Sequence, residues 1–158
     1  MKNKVMIQED KELPLKDLCA RLPYGVHILT NSKQHIRLLT IGRDLDYDEQ
    51  YWINDLYDID DVKPYLRSMS SMTEEEAKEI AILHGIKDIL SVKVTSDYID
   101  VIVDDGVCST EIRTIWYDEI ISSIEIFDWL NKNHFDFRGL IPKDLAIEVT
   151  EENNPYKD

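Results

Sequence analysis

The stretch Asp60-Asp61-Val62-Lys63-Pro64-Tyr65-Leu66-Arg67-Ser68-Met69-Ser70-Ser71-Met72-Thr73-Glu74-Glu75-Glu76 constrains the fold more than any other part of the chain. At its end, Thr73 as N-cap and Glu76 three residues on spell a capping box, in which each side chain satisfies the other residue's backbone N–H. Glu74, Glu75 and Glu76 place negative charge at the positive end of the helix dipole. Met72 stands where a hydrophobic staple reaches Ala77, and Gly85 supplies the C-terminal cap. A helix over 74–84 follows. Ahead of it, Asp60 to Tyr65 reads as a short helical turn, with Leu66 and Met69 as core plugs. The chain reads mostly as strands before this stretch, and as helix, strands and helix after it. The stretch is therefore expected to be the ordered connection that packs the two halves together.

The first half opens with a polar segment, 1–12, expected to be flexible. Leu15, Leu18, Cys19 and Leu22 then repeat at helical spacing. They predict a helix near 14–22 with Pro14 in its first turn and Pro23 as its stop. Residues 24–30 and 35–41 alternate as a hairpin around a polar turn, and Tyr51-Trp52-Ile53 suggests a further strand. Both faces of this hairpin carry apolar groups, so it is covered on both sides or packs across a dimer interface. In the second half, strands at 89–95, 98–103 and 107–117 predict an antiparallel meander, with Asp104-Asp105-Gly106 as a hairpin turn. Ser122 and Glu125 spell a second capping box before a helix near 123–133. Leu145, Ile147 and Val149 alternate as a last short strand. The expectation is an α+β fold, with antiparallel strands in two groups packed with two to three short helices. It forms one domain over 13–149, followed by a polar tail over 150–158.

Charge narrows the function classes. The chain of 158 residues carries 18 basic and 32 acidic side chains, a net charge of -14. That balance repels nucleic acid and anionic membranes, and its electrostatic complement is a basic protein; the plainer reading is solubility. A hydrophobic content of 43% argues against a disordered chain. Cys19 and Cys108 form no metal-type spacing and read as reduced thiols. No apolar run suits a signal peptide or a bilayer span, so the cytoplasm is the expected location.

No chemical motif stands out. Asp44, Asp46 and Asp48, with Asp55 twelfth in the count, imitate the start of a calcium loop, but Glu49 stands where the turn needs glycine. His134 lies near Asp136 without a third partner, and His27, His35 and His84 are scattered. Ser68, Ser70, Ser71 and Ser109 lie in no nucleophile elbow, and Cys108 is expected to be half-buried beside a hairpin turn. The five glycines stand singly, which argues against a phosphate cradle. Catalytic residues, metal ligands and cofactors are accordingly expected to be none. Aromatic residues are plentiful, however, and those set among carboxylates suit a binding face. Tyr47, Tyr51, Trp52 and Tyr57 are the first choices for it.

Three segments also carry a resemblance: Leu22-Pro23-Tyr24-Gly25-Val26, the stretch from Asp61 to Glu76, and Trp129-Leu130-Asn131-Lys132-Asn133-His134-Phe135-Asp136-Phe137-Arg138-Gly139-Leu140-Ile141. Together they resemble a family of small uncharacterised proteins of gut-bacterial phages, prophages and mobile elements. The chain departs at Ser68, where that family carries proline, and at Asp144, where it carries glycine. The resemblance implies a mobile-element setting and no particular activity. The reading that follows is a non-enzymatic accessory factor that binds a protein partner, with a second copy of the chain as another partner. The alternatives are an acidic nucleic-acid mimic that inhibits a nuclease or defence enzyme, and a small hydrolase or metal-dependent enzyme.

Overall fold

The structure is a computed structural model that describes residues 8–30, 33, 35–37 and 62–157. In chain order the elements are α1 (Gln8–Arg21), β1 (His27–Leu29), β2 (His35–Arg37), β3 (Lys63–Leu66), α2 (Glu74–Leu83), β4 (Ile89–Val94), β5 (Tyr98–Asp104), β6 (Thr110–Trp116), α3 (Ile124–Lys132) and β7 (Ile147–Glu148). The class is α+β, with antiparallel strands in two groups, as the sequence predicts. The chain divides into two compact units, one of Met1–Leu66 with Arg138–Asp158 and one of Arg67–Phe137. The boundary after Leu66 falls inside the stretch 60–76, so Leu66 and Met69 are both core plugs but in different cores.

In the first unit, α1 begins at Gln8, ahead of the start that the periodicity suggests. Pro14 therefore lies inside the helix rather than in its first turn, and the Asp10 carbonyl loses its usual N–H partner there. The helix carries an ion cluster: Arg21 donates two hydrogen bonds of 2.8 Å to the Asp17 carboxylate, and Arg138 adds a third of 2.7 Å. Asp17 and Arg21 are both 0% exposed. Leu18, Val26, Ile28 and Val62 form one apolar cluster, and Leu66, Leu140 and Ala146 a second. The sheet order is β2-β1-β3-β7, antiparallel except for the parallel β3–β7 pair. β3 replaces the helical turn expected at 60–65, because Pro64 excludes Lys63 from the helical region and holds it extended.

The β1–β3 ladder pairs Leu29 with Lys63 and Ile28 with Pro64, and stops there. At the next position the Tyr156 hydroxyl enters. It accepts from the His27 N–H at 3.1 Å and donates to the Tyr65 carbonyl at 2.7 Å. A tyrosine from the polar tail thus occupies a rung of the sheet. Tyr156→Phe removes both bonds and leaves two partly buried backbone groups unmatched, which should cost about 1–3 kcal/mol. Urea denaturation, with amide exchange at His27, measures this; unchanged stability would show that water replaces the hydroxyl without loss.

In the second unit the capping box at α2 is complete, with Glu76 N–H on Thr73 Oγ1 and Thr73 N–H on the Glu76 carboxylate. Met72 and Ala77 lie in the same core cluster, as a staple requires. The helix closes in a Schellman motif: Ile86 N–H reaches the Ala81 carbonyl, Gly85 N–H reaches that of Ile82, and Gly85 has φ 78°. α3 closes the same way through Phe135 to Leu130 and His134 to Asn131, but the left-handed position holds His134, at φ 59°. The N-cap of α3 is Ser123, whose Oγ accepts from Ile126 N–H, so the cap falls one residue beyond Ser122 and the expected Ser122–Glu125 box does not form, since Ile126 has no acceptor to return the bond. β4, β5 and β6 form the expected meander in that order. Its inner face, with Val92, Ile99, Val101, Val103 and Ile115, shares one core with Ile80 and Ala81 of α2 and Ile126 and Leu130 of α3.

Arg67 is a clasp within this unit. Its guanidinium grips the Glu76 carboxylate at 2.7 and 2.8 Å and lies 4.2 Å above the Phe135 ring. Its backbone bonds His134 and Asp136 on either side of Phe135. Burial raises the Glu76 carboxyl, but the Arg67 guanidinium and the Thr73 backbone outweigh it and hold the group below its ordinary 4.5. A carboxylate lowered on folding stabilises fully above its unfolded value, and that stability is lost as pH falls through the folded value. The second unit should therefore weaken progressively below pH 4.5, and Glu76→Gln should flatten that acid limb in pH-resolved denaturation.

Candidate protein-binding face

The outer face of the meander is built by register. β5 pairs with β6 so that Tyr98 faces Trp116, Asp100 faces Thr114 and Ile102 faces Ile112. Side chains alternate along a strand, so these even-numbered residues all project away from the core that the odd-numbered ones fill. Tyr98 and Trp116 make an edge-on pair with ring centroids 4.8 Å apart. Thr114 Oγ1 donates to Asp100 Oδ1 at 2.6 Å, and Lys93 of β4 stands opposite Asp100. Trp116 is 49% exposed and Ile112 63%. The result is an apolar and aromatic surface with a charged and hydroxyl patch at its centre.

The two ends of the hairpins are fixed differently. Tyr117 donates its hydroxyl to the Thr95 carbonyl at 2.9 Å. Burial, and then the charge of Asp97, push that phenol up to about 12, so it remains a donor at any physiological pH. At the other end, residues 105–109 form a five-residue loop in place of the expected Asp104-Asp105-Gly106 turn. Asp105 organises it by accepting from the N–H groups of Val107 and Ser109 and from the Ser109 hydroxyl. The Ser109 hydroxyl, followed by the Val107 N–H, holds this carboxyl below its ordinary 3.8.

The residues singled out by sequence are placed as follows. Tyr47, Tyr51, Trp52 and Tyr57, and the acidic run Asp44, Asp46, Asp48 and Asp55, lie outside the described residues. His134 and Asp136 are both buried, each 7% exposed, at the end of α3 and in the strand-like contact with Arg67. Ser68, Ser70 and Ser71 cap a single 3-10 turn: Ser68 Oγ accepts from Ser70 N–H, and Ser71 Oγ donates to the Ser68 carbonyl. Cys19 and Cys108 are free thiols; Cys108 is exposed rather than half-buried, because its left-handed backbone, φ 64°, sits in the wider loop. Burial lowers His84 from its ordinary 6.5 at the C-cap of α2, where its Nδ1 lies 3.3 Å from the Ser122 hydroxyl.

The fold also makes a pairing that linear spacing hides. His27 Nδ1 and His35 Nε2 lie 2.7 Å apart across β1 and β2, with the His35 ring against Tyr65 and the His27 ring against Tyr156. Among the described residues, no group of three or more histidine, cysteine, aspartate or glutamate side chains is placed to hold a metal ion. No helix among them is long and apolar enough to cross a membrane. The described architecture is that of a small α+β protein with an exposed aromatic sheet face. In comparisons with family models, curated proteins and solved structures, nothing matches this chain.

Proposed function

We propose that this chain is a non-enzymatic accessory factor that binds a protein partner through the outer face of β4–β6. The observation that carries the reading is the half-exposed Trp116, held edge-on to Tyr98, with exposed Ile112 on the same face beyond the Asp100–Thr114 patch. Tryptophan and tyrosine dominate the energetics of protein interfaces when a rigid element presents them. The net charge of -14 favours a basic partner. A phage or mobile-element setting rests on the resemblance of the segments at 22–26, 61–76 and 129–141.

The two rival readings have less support. An acidic mimic of nucleic acid needs rows of carboxylates. Here Glu74, Glu75 and Glu76 crowd a helix start, and Asp104 and Asp105 are engaged by their own hairpin loop. A hydrolase needs a nucleophile or base beside a cavity. A groove of about 390 Å³ in the second unit is lined by Lys78, Ile82, Ile86, Lys87, Asp88 and Ile89, a set without histidine, cysteine or serine.

The test is capture of a partner from host lysate at moderate salt by the full chain, followed by titration of the purified partner. Trp116→Ala should weaken that binding about tenfold or more while the circular dichroism of the chain stays the same. Absence of any captured protein, or a partner that binds Trp116→Ala as tightly as the parent, overturns the proposal.

A further inference from the structure

We infer that β6 pairs edge to edge with β6 of a second copy of this chain, antiparallel and centred on Ile112, to make one six-stranded sheet. The two outer strands of the meander differ in how they end it. β4 carries a register irregularity between Ile89 and Ser91, the kind of bulge that blunts an edge. β6 runs seven residues without bulge, proline or glycine, and among the described residues no strand pairs with its far side.

Backbone direction decides which groups that edge offers. Tyr117 N–H bonds the Asp97 carbonyl and Asp105 N–H bonds that of Ser109, at the two ends of the β5–β6 ladder. Odd-numbered residues of β6 therefore point their backbone groups at β5. Thr110, Ile112 and Thr114 point theirs outward, and among the described residues no strand takes up these six N–H and C=O groups.

Side chains then select the register. Centred on Ile112, the outward groups of Ile112 meet those of Ile112 in the second copy, and Thr110 meets Thr114 in both directions. Glu111 faces Arg113 twice over. Both are exposed residues on the inward side of the strand, already 3.4 Å apart within one copy. Sliding the copies by one hydrogen-bonding step in either direction sets Glu111 against Glu111 or Arg113 against Arg113, and like charges directly opposite are unfavourable. The edge is thus complementary to itself in a single register, as a two-fold interface demands. Ile112 of both copies would also meet on the outer face, extending the apolar surface.

The pairing is smaller than a standard interface of about 1,600 Å², so it should be weak, with dissociation in the micromolar range. Sedimentation equilibrium of the full chain at physiological ionic strength should show a reversible monomer–dimer equilibrium. Glu111→Arg alone, or Arg113→Glu alone, should weaken it roughly tenfold or more. The double exchange, Glu111→Arg with Arg113→Glu, should restore it. Mixing the two single variants should give a heterodimer, since each then faces opposite charge at both positions. Ile112→Pro removes an outward N–H without touching the β5 ladder, and should abolish pairing. A chain that stays monomeric throughout, or a dimer indifferent to the charge reversals, overturns the inference. Binding of the foreign partner to the Trp116 face is a separate measurement and can fail or succeed independently.

Discussion

Asp17→Ala is expected to cost about 3–5 kcal/mol, because it removes one member of a buried ion cluster and strips that carboxylate from two guanidiniums. The geometry makes the loss large: two 2.8 Å bonds from Arg21, one of 2.7 Å from Arg138, and an Asp17 side chain that is 0% exposed. A typical domain has only about 5–15 kcal/mol in hand, so the first unit should be close to failing. Urea unfolding by circular dichroism, with amide exchange read in β1 and β3, gives the number. The same reasoning separates the charge from the shape. Asp17→Leu combined with Arg21→Met removes a buried pair and supplies apolar volume, and should lose less than Asp17→Ala. A double variant as unstable as the single one would show that the cluster contributes through its hydrogen bonds and not through the cost of burying charge.

Phe135→Ala is expected to lower the stability of the second unit by a similar amount, about 3–5 kcal/mol. Phe135 is fully buried, stacked with Trp129 with the rings 9° from parallel, and the Arg67 guanidinium lies 4.2 Å from its centroid. Alanine empties that space and also removes the ring on which Arg67 rests. Phe135→Leu fills most of the volume but offers no aromatic face, so the difference between the two variants reports the cation–π contribution. With Trp52 and Trp116 replaced by phenylalanine, the intrinsic fluorescence of Trp129 follows the transition. If the alanine variant lost less than 1 kcal/mol, the surrounding core would have to collapse into the gap.

How much of this was legible depends on how far each signal reaches along the chain. The α2 start was readable because Thr73, Glu76, Met72 and Ala77 interact within a few residues of one another. Its end was readable because glycine at position 85 announces a left-handed cap. The end of α3 uses the same motif with His134, and Asp144 takes the left-handed position after Leu140 with the same bonds, Leu145 to Leu140 and Asp144 to Ile141. A side chain there gives no comparable signal. β3 takes the place of the helical turn expected over Asp60 to Tyr65, because Pro64 disfavours the helical region at Lys63 and so favours extension there.

The pairing on the aromatic face was hidden by loop length. The expected turn at Asp104-Asp105-Gly106 would set residue 103 opposite 107 and leave Tyr98 opposite Ile112. The five-residue loop organised by Asp105 shifts that register and sets Tyr98 opposite Trp116. Pairings such as Tyr98 with Trp116, His27 with His35, and Tyr156 with a gap in the β1–β3 ladder depend on registers set elsewhere, and short-range patterns do not encode them.

The division of the chain has a consequence for the order in which the protein is made. Residues 67–137 form one continuous unit that contains all its own strands and helices, and it can close as soon as Phe137 has left the ribosome. The first unit is interrupted by it. Its sheet lacks β7 until residue 148 is translated, its ion cluster lacks Arg138, and its last rung waits for Tyr156. The segment synthesised first is therefore the one completed last, and its open edge must stay out of trouble while the inserted unit folds.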